Sequence, residues 1–410
     1  MNSDSKLRRR MIVGLIVIHT VVILGLLCIV ISVGKCYEKI LLTDDGYYKA
    51  AGYIVNGINP NTMYGLGYPM ILTILHIFPE GWQPFIRVLI SLIFTSITVV
   101  LLFRIFGNYF TDKEIFLGGL VFVLNPLYVH WMFKSRVEAP LVLLLGIIIM
   151  SYQGYLRENK PKYIVYLCIA MAYSIFTKPV FMLVPFFALL LAVLAKRPKL
   201  ISLSLICAFI SIVTFQFAKN VPHKRPSGRN YYRIYSIVSS SFYVNAIIRN
   251  CDFKTQPMFI EDEKGSLVRN PRLVPGDKWK EYYKSKYKND NAILVSLRFA
   301  YEQPGLVIQQ LLVNPFLVLS LSHTEYETLF HFIANLFFLA LAIYGVAKVT
   351  SKSITLYVHL VIVFAVYLVL VLVHSRSPYF IPIIPYLFVF AGRPISTLVR
   401  KTKARIMGKT

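Results

Sequence analysis

Long apolar runs separated by short polar segments dominate this chain of 410 residues. A helix needs about 20 apolar residues to cross the roughly 30 Å of a bilayer's hydrocarbon core. Because only helices and closed barrels satisfy their backbone hydrogen bonds there, the pattern predicts an all-α polytopic membrane protein. The ten predicted spans lie at about residues 11–34, 84–106, 114–132, 138–155, 161–176, 180–195, 200–217, 328–347, 354–373 and 378–391.

The polar segments divide the chain into three predicted regions. Residues 1–217 form an N-terminal transmembrane module of seven spans, and its first outer loop, 35–83, contains the apolar stretch YPMILTILHIF. This stretch is too short for a crossing and predicts an interfacial or re-entrant helix. Residues 218–322 predict a small, polar extracytoplasmic cap followed by interfacial helices. Residues 323–410 contain three further spans and a basic tail.

Basic residues set the predicted orientation of the chain. Lys6, Arg8, Arg9 and Arg10 precede the first span, and cytoplasmic loops of membrane proteins carry an excess of Lys and Arg. An even number of spans then places the basic C-terminal tail in the cytoplasm as well. Because no small-residue cleavage site follows the first apolar run, we interpret that run as an uncleaved anchor.

Composition and net charge narrow the class further. The chain is 56% apolar and 15% charged, with a mean hydropathy of +0.60, which leaves too few charged residues for a soluble surface. Its formal net charge is +25, but the basic residues are dispersed over segment ends. Without a compact basic domain, we predict no nucleic-acid partner. An excess of positive charge instead suits anionic lipid headgroups and an anionic substrate.

Neither the cysteines nor the histidines predict a metal centre. The histidines lack zinc-ligand spacing. Cys36 and Cys251 both fall on the outer side of the predicted topology, where a disulfide between them is an open alternative. The cysteines inside apolar runs, which we interpret as small core residues, are Cys28, Cys168 and Cys207.

The predicted topology collects unusual charged residues at the outer ends of the spans. Asp44 and Asp45 follow the first span, and Glu138 opens the fourth. The cations at the same face are Arg87, Lys134, Arg136, Lys178 and Arg376. Ionisable groups at membrane depth are costly unless they pair or face water. Their arrangement therefore predicts a cleft in which a carboxylate acts as general base and cations bind a phosphate.

Each of these residues also has a purely structural interpretation. Asp44 or Asp45 can cap a helix that starts near Gly46, and Glu138 beside Pro140 suits the first turn of a helix. The cations can extend to the membrane interface as anchors. The tyrosines that can belong to an interfacial aromatic belt include Tyr48, Tyr64 and Tyr68. The order of these features along the chain is more specific than any one of them.

That order resembles the GT-C superfamily of integral-membrane glycosyltransferases. The closest similarity is to the bacterial branch related to protein O-mannosyltransferases and aminoarabinose transferases, which is like glycosyltransferase family 39. The matching motifs are DDGYYKAAGYIVNG, GLGYPMILTILHIF, QPFIRVLISL, NPLYVHWMFKSRVEAPLVLLL, the TKP corner at 177–179 and HSRSPYFIPIIPYLFVFAG. The resemblance covers about residues 10–195 well and 293–395 loosely. The sequence departs from the family pattern in two places. It has Asp-Asp where Asp-Glu is common, and Ser377 and Pro378 separate Arg376 from the aromatic residue that often follows the arginine.

The resemblance implies a GT-C-like helical bundle that moves a sugar from a polyprenyl-phosphate donor to a hydroxyl acceptor. The acceptor would be a cell-envelope glycan, glycolipid or protein on the periplasmic face of a bacterial inner membrane. Such a displacement inverts the anomeric centre and requires no nucleotide or other cofactor. Some relatives hold a divalent cation, for which Asp44 and Glu138 are the corresponding acids.

The resemblance also assigns roles to individual residues. Asp44 is the first choice for general base because Tyr48 stands four residues after it, and Asp45 is the second choice. Glu138 corresponds to the acid that orients the acceptor or assists the base. The implied ligands of the donor phosphate are Arg87, Arg136, Lys178 and Arg376, and the implied substrate contacts are Tyr48, Tyr64 and Tyr68.

Two other functions stay open on the sequence. A flippase for lipid-linked glycans would use the cations without the acids, and inverted repeats or discontinuous helices would favour it; the sequence shows neither. An O-antigen-type polymerase or ligase would rely on Arg and His in an outer loop, where His223, Arg229 and Arg233 lie. A non-catalytic scaffold would have no need of the acids.

Overall fold

The structure is a computed structural model, and most of the residues that it describes are helical. These residues are 3–32, 46–58, 65–133, 137–178, 181, 183–194, 196–220, 259–261, 267–269, 301, 304, 325–349, 354–373 and 377–407. Cys36 and Cys251 lie outside these ranges, so the disulfide between them stays untested. Cys28, Cys168 and Cys207 are free thiols.

The first half of the chain contributes ten α-helices. They are α1 (Ser3–Ser32), α2 (Gly46–Val55), α3 (Gly67–Leu72), α4 (Gln83–Phe106), α5 (Asp112–Val123), α6 (Pro126–Phe133), α7 (Glu138–Glu158), α8 (Pro161–Thr177), α9 (Val184–Leu194) and α10 (Pro198–Asn220). Two 3₁₀ turns, Thr73–Ile77 and Glu80–Trp82, connect α3 to α4.

The second half contributes two strands and four more α-helices within the described ranges. They are β1 (Phe259–Glu261), β2 (Leu267–Arg269), α11 (Glu325–Ala347), α12 (Ile354–Val373), α13 (Ile384–Phe388) and α14 (Gly392–Ile406). The 3₁₀ segments Ser377–Ile383 and Val389–Ala391 flank α13.

The helices confirm an all-α polytopic membrane protein. Four described segments are long and apolar enough to cross a bilayer, namely Ser5–Ser32, Glu80–Phe106, Glu138–Glu158 and Phe380–Ile406. The pair α5 and α6 adds a fifth if it is counted as one span. Shorter apolar helices, α8 to α12, occupy the positions of predicted spans five to nine. The stretch after Gly67 forms only α3 and a 3₁₀ turn, in keeping with its predicted shortness.

The third predicted span, 114–132, needs a correction because it is not one straight helix. The α5 helix ends at Val123, α6 begins at Pro126, and their axes differ by 60°. Proline cannot donate a backbone hydrogen bond and therefore suits the start of a new helix. The Asn125 side chain accepts a hydrogen bond from the Tyr128 backbone N–H at 3.0 Å and caps α6.

Aromatic side chains from distant parts of the chain pack around one buried histidine. Phe106 and Phe390 lie edge-on to each other at 5.3 Å, and each contacts the His359 ring. The His359 Nε2 atom hydrogen-bonds the Tyr386 carbonyl at 2.7 Å. This cluster holds α12 and the C-terminal segment against α4.

The α7 helix defines two opposite faces of this bundle. Its 21 residues span about 30 Å at 1.5 Å per residue, so Glu138 and Arg157 lie at opposite ends. We call the face where α7 begins the site face and the face where it ends the basic face. On the basic face, Arg157 donates to the Tyr109 hydroxyl at 3.1 Å, and Arg393 donates to the Tyr109 carbonyl at 3.2 Å.

The chain divides into two compact units. The first comprises Met1–His223, Phe337–Tyr367 and Ile381–Thr410, and the second comprises Lys224–Leu336 and Leu368–Phe380. In the second unit, β1 and β2 form an antiparallel pair in which Ile260 is opposite Val268. Most of the predicted cap, 218–322, lies outside the described residues, so the predicted domain boundaries stay predictions. The candidate site lies in the first unit.

Candidate functional site

Five of the ten predicted site residues lie within the described ranges. They are Tyr48, Tyr68, Arg87, Glu138 and Lys178. The other five, Asp44, Asp45, Tyr64, Arg136 and Arg376, fall outside them. Their predicted roles are therefore untested. The Asp pair directly precedes α2, which begins at Gly46 as the sequence predicted.

Glu138 and Lys178 form an ion pair on the site face. The Lys178 Nζ atom lies 3.0 Å from Glu138 Oε1, and the two side chains are only 10% and 5% exposed. Glu138 opens α7, whereas Lys178 follows the last residue of α8. The backbone of Lys178 is extended, because Pro179 disfavours a helical conformation in the residue before it. The TKP corner thus ends α8 where its lysine reaches Glu138.

The second carboxylate oxygen of Glu138 is buried and available. Glu138 Oε2 accepts no hydrogen bond from any residue in the described ranges. A buried polar atom without a partner costs about 1–3 kcal/mol. This oxygen is therefore the one at which a substrate hydroxyl or a water would be stabilised.

A turn of the first outer loop packs against the Lys178 corner. A Cβ atom at Gly65 would overlap the Phe176 carbonyl oxygen, and one at Gly67 would lie 2.9 Å from the Thr177 nitrogen. The Tyr173 hydroxyl donates a hydrogen bond to the Gly67 carbonyl at 2.8 Å. The two glycines thus allow the GLGYP turn to approach α8 closely, and this contact brings the first outer loop to the ion pair.

Tyr48 anchors a second group of polar side chains on the same loop. It lies in the first turn of α2, and its hydroxyl donates a hydrogen bond to Gln83 Oε1. Gln83 in turn donates to the Phe78 carbonyl at 3.1 Å. The His76 ring stacks on the Tyr48 ring, with centroids 5.2 Å apart and planes 15° apart. These contacts fix the orientation of the phenol.

Arg87 and Glu80 set the electrostatic environment of Tyr48. Arg87 is fully buried and lies one turn after Gln83 on α4, so the two side chains share one helix face. Burial, together with the Glu80 carboxylate, raises the pKa of Tyr48, although the Arg87 guanidinium acts in the opposite direction. The phenol therefore stays protonated at neutral pH and remains a hydrogen-bond donor.

Tyr68 connects the two groups. It is fully buried in the turn that packs on α8, and its ring lies edge-on to Tyr47 at 5.6 Å. Tyr47 directly precedes Tyr48. Tyr68 thus lies in the turn that packs against the Lys178 corner and contacts the residue next to Tyr48.

Sequence reasoning missed Gln83 and His76 as parts of the candidate site. Gln83 stands four residues before Arg87, a spacing that places both on one face of a helix. His76 is the one residue in the apolar stretch YPMILTILHIF whose side chain can carry a charge near neutral pH. Both signals were present in the sequence, but neither indicated a contact with Tyr48.

The described part of the site contains only one of the two acids of the divalent-cation alternative, Glu138, because Asp44 lies outside the described residues. Hard cations prefer several carboxylate or carbonyl oxygens. No group of three or more His, Cys, Asp or Glu side chains that could hold a metal occurs among the residues described. Glu138 is paired with Lys178, whose positive charge opposes a second cation.

Part of this chain matches a known protein family. Residues 69–222 match the family described as dolichyl-phosphate-mannose-protein mannosyltransferase, which belongs to the family 39-like group of GT-C glycosyltransferases. The match contains α4 to α10 and both partners of the Glu138–Lys178 pair, and it confirms the resemblance over this part of the chain. The matched residues make up less than half of the chain. No curated protein and no solved structure matches the chain.

Proposed function

We propose that this chain is a membrane glycosyltransferase that moves a sugar from a polyprenyl-phosphate donor to a hydroxyl acceptor of a cell-envelope glycan, glycolipid or protein. The observation that carries the proposal is the buried Glu138–Lys178 pair against the GLGYP turn. A cation, a carboxylate and the first outer loop then meet at one place. Transfer from a lipid phosphate needs all three.

Lys178 and Arg87 are the proposed cations for the donor phosphate. When the bond between the anomeric carbon and the phosphate oxygen breaks, the polyprenyl phosphate leaves with the electron pair and gains negative charge. Positioned ammonium and guanidinium groups stabilise that charge, and Arg can do so with two parallel hydrogen bonds. Arg136 and Arg376 are further phosphate ligands by resemblance.

Asp44 or Asp45 is the proposed general base. The acceptor oxygen bonds to the anomeric carbon while its proton passes to the carboxylate, and the anomeric centre inverts. Asp45 stands three residues before Tyr48, and at 3.8 Å per residue its Cα lies within about 11 Å of the Tyr48 Cα. This covalent limit on the distance from Tyr48 supports the choice of the acid pair.

Glu138 and the tyrosines complete the proposed site. Oε1 of Glu138 holds Lys178 in place, and Oε2 is oriented to accept a hydrogen bond from the acceptor hydroxyl. The Tyr48 phenol, fixed by Gln83 and His76, contacts substrate, with Tyr64 and Tyr68 as the other proposed contacts. The proposed transfer requires no cofactor, and a divalent cation between Asp44 and Glu138 stays an untested alternative.

The distribution of charge supports an extracytoplasmic site. Arg8, Arg157, Arg393 and the basic residues of α14 lie on the basic face, opposite Lys178 and Glu138. Because Lys and Arg accumulate on the cytoplasmic side, the proposed reaction takes place at the periplasmic face of a bacterial inner membrane, with both termini in the cytoplasm.

The test is a transfer assay with the full-length protein in proteoliposomes. Undecaprenyl phosphate carrying radiolabelled mannose is supplied with a cell-envelope extract and no nucleotide. We expect label in the acceptor fraction and release of undecaprenyl phosphate. Asp44→Asn or Asp45→Asn should lower the rate at least a hundredfold, since general-base catalysis contributes about 10²–10⁴. Wild-type rates in both variants would remove the proposed base.

A matched pair of lysine variants tests the phosphate role. Lys178→Met should lower transfer strongly, whereas Lys160→Met, which removes an exposed lysine at the other end of α7, should not. Lys160 pairs with Glu158 at 2.8 Å, so both variants break one ion pair. Equal losses in the two would contradict a specific role for Lys178.

A flippase is the second candidate because of the break between α5 and α6. Discontinuous helices line the substrate sites of many transporters. Asn125 at this break is fully buried, and its side chain caps α6. Movement of labelled lipid across the vesicle without transfer of sugar would favour the flippase.

A further inference from the structure

A cavity of about 650 Å³ lies on the basic face, far from the proposed transfer site. Its cationic lining consists of Lys348, Arg393, Arg400 and Lys401, and the one carboxylate that lines it is Glu114. Because α7 separates the two faces by about 30 Å, this cavity cannot share a ligand with the Glu138–Lys178 pair.

Both oxygens of the Glu114 carboxylate accept hydrogen bonds from other residues of the protein. Its Oε1 accepts from Arg393 Nε at 3.1 Å, and its Oε2 accepts from the Thr111 backbone N–H at 2.9 Å in a capping box at the start of α5. In the described part of the chain, Arg400 and Lys401 have no carboxylate within ion-pair distance. The cavity therefore has a net positive charge.

The cations face the cavity because of their spacing on α14. Arg393, Thr397, Arg400 and Lys401 follow an i, i+4, i+7, i+8 pattern, which places them on one side of a helix. Lys348 reaches the same cavity from the end of α11, and its carbonyl accepts a hydrogen bond from Arg393 Nη1 at 2.9 Å. Two elements thus position the charges around one space.

The lining is also partly apolar. Leu398 lines the cavity and is 65% exposed. Farther along α14, the apolar side chains of Val399 and Ile406 are exposed as well. Exposed apolar side chains among basic ones on one helix are typical of a segment at the membrane surface. The α14 helix fits this position because it continues the apolar segment that begins at Phe380.

We propose that this cavity binds the phosphate-bearing headgroup of an anionic membrane phospholipid. Lys348, Arg400 and Lys401 contact the phosphate, and Leu398 contacts the start of the acyl chains. Inorganic phosphate would satisfy the cations but leave Leu398 exposed. The mixture of cationic and apolar lining therefore favours a lipid, and the site is separate from the donor site on the opposite face.

The test is a binding titration of the full-length protein in detergent, followed by native mass spectrometry. The probes are dioctanoyl phosphatidylglycerol, dioctanoyl phosphatidylcholine and inorganic phosphate. We expect saturable binding of phosphatidylglycerol, with the other two at least tenfold weaker. Basic residues near a membrane contribute about 1 kcal/mol each, and about 1.4 kcal/mol is a factor of ten, so Arg400→Ala with Lys401→Ala should weaken phosphatidylglycerol binding about thirtyfold.

A matched double variant controls for general charge. Lys162→Ala with Lys199→Ala removes two exposed lysines at the starts of α8 and α10, and binding should be unchanged. Leu398→Ser should weaken phosphatidylglycerol binding without changing the weak binding of phosphate. Equal affinity for all three probes, or equal losses in both double variants, would overturn the proposal. A loss confined to the Arg400 and Lys401 variant supports it, whatever the transferase assay gives.

Discussion

Glu138 and Lys178 form an ion pair in a buried environment, where an isolated charge would be unfavourable. Their side chains are almost fully buried, and removing an ion from water costs several kcal/mol unless a partner compensates it. A hydrophobic pair of similar size would often be equally stable. The pair is therefore better explained by the chemistry of the site than by stability.

A double-variant cycle separates these two explanations. Glu138→Leu alone removes the carboxylate that pairs with the buried Lys178, and breaking a buried ion pair from one side should lower the free energy of unfolding by about 3–5 kcal/mol. Glu138→Leu with Lys178→Met should recover most of that loss but no transferase activity. The measurements are SDS-induced unfolding and the transfer assay. Recovery of activity in the double variant would show that the pair is structural.

The Tyr48 phenol gives a prediction about pH. The pKa of Tyr48 is raised in the folded protein. The contribution of Tyr48 to the free energy of unfolding is therefore fully present below the ordinary tyrosine pKa of about 10, and it is lost as the pH rises through the higher pKa of the folded state. Tyr48→Phe should cost about 1 kcal/mol at neutral pH, the usual contribution of one hydrogen bond. The difference from wild type should shrink above pH 10.

Thermal unfolding between pH 7 and 11 provides the measurement for Tyr48. Tyr53→Phe is the control, because Tyr53 lies on the same helix and is 47% exposed. Its unfolding should follow wild type at every pH. If the difference in thermal unfolding between Tyr48→Phe and wild type did not change with pH, the raised pKa of Tyr48 would be contradicted.

At the scale of residues, the sequence predicts chemical types better than partners. It indicated that acids and bases gather on one face, because a charge at a span end must pair or meet water. It could not indicate that Glu138 meets Lys178, since the contact depends on how α7 packs against α8. The same holds for Gln83 and His76, whose contacts with Tyr48 depend on the path of the first loop.

At the scale of elements, the GLGYP turn and the end of α8 act as one unit. The turn has no room for a side chain at Gly67, where a Cβ would lie 2.9 Å from the Thr177 nitrogen. The first outer loop is therefore held in place by backbone contact. This fixes the distance between the loop and the corner that presents Lys178.

Gly67→Ala should disrupt this contact. Alanine normally favours a helix over glycine by roughly 0.5–1 kcal/mol, but overpacking a tight contact costs typically 1–3 kcal/mol. We expect lower stability and a lower transfer rate. In Gly81→Ala, where a Cβ would meet no atom within 4 Å, both quantities should be unchanged. Wild-type behaviour of Gly67→Ala in unfolding and transfer would contradict the close packing.

Two helix boundaries were predicted closely because the apolar runs there end at charged or helix-breaking residues. The predicted span 354–373 coincides with α12, and 84–106 differs from α4 by one residue at its start. The break after Val123 was missed because the run stays apolar through it. The Asn125-Pro126 dipeptide was the signal, since such pairs favour the end of a helix.

At the scale of the molecule, α5 joins the two ends of the chain. Arg8 in α1 pairs with Asp112 at 2.9 Å, and Arg393 in α14 pairs with Glu114 at 3.1 Å. Both acids lie in the first turn of α5, where negative charge also suits the helix dipole. On the basic face, ion pairs thus hold α1 and α14, which are far apart in sequence, against α5.

Arg393→Ala should weaken the contact between α14 and α5. The variant removes hydrogen bonds to Glu114, the Lys348 carbonyl and the Tyr109 carbonyl, and hydrogen bonds to charged groups contribute about 1.5–3 kcal/mol each. Because the Arg393 side chain is 23% exposed, water replaces part of these bonds, and we expect a loss below their sum, about 2–4 kcal/mol in SDS-induced unfolding. Arg393→Lys keeps the positive charge but lacks the planar guanidinium group that makes several hydrogen bonds at once. This variant should therefore recover only part of the lost stability. Full recovery by lysine would show that charge alone is needed.

The fold class was predictable at this scale, but the arrangement of spans was not. Hydropathy alone indicates a polytopic helical protein, because the bilayer permits few alternatives. It gives no information on which helices touch. The close contact of α5 with the C-terminal segment, for example, depends on glycine at position 118, where a Cβ would lie 2.6 Å from the Val389 Cα.

The pairing of Glu138 with Lys178 also determines how the site responds to voltage. A single elementary charge that moves across a membrane potential gains or loses about 2.3 kcal/mol per 100 mV. Two opposite charges 3.0 Å apart experience nearly cancelling forces. The Glu138–Lys178 pair therefore adds little to any response of the site to the membrane potential.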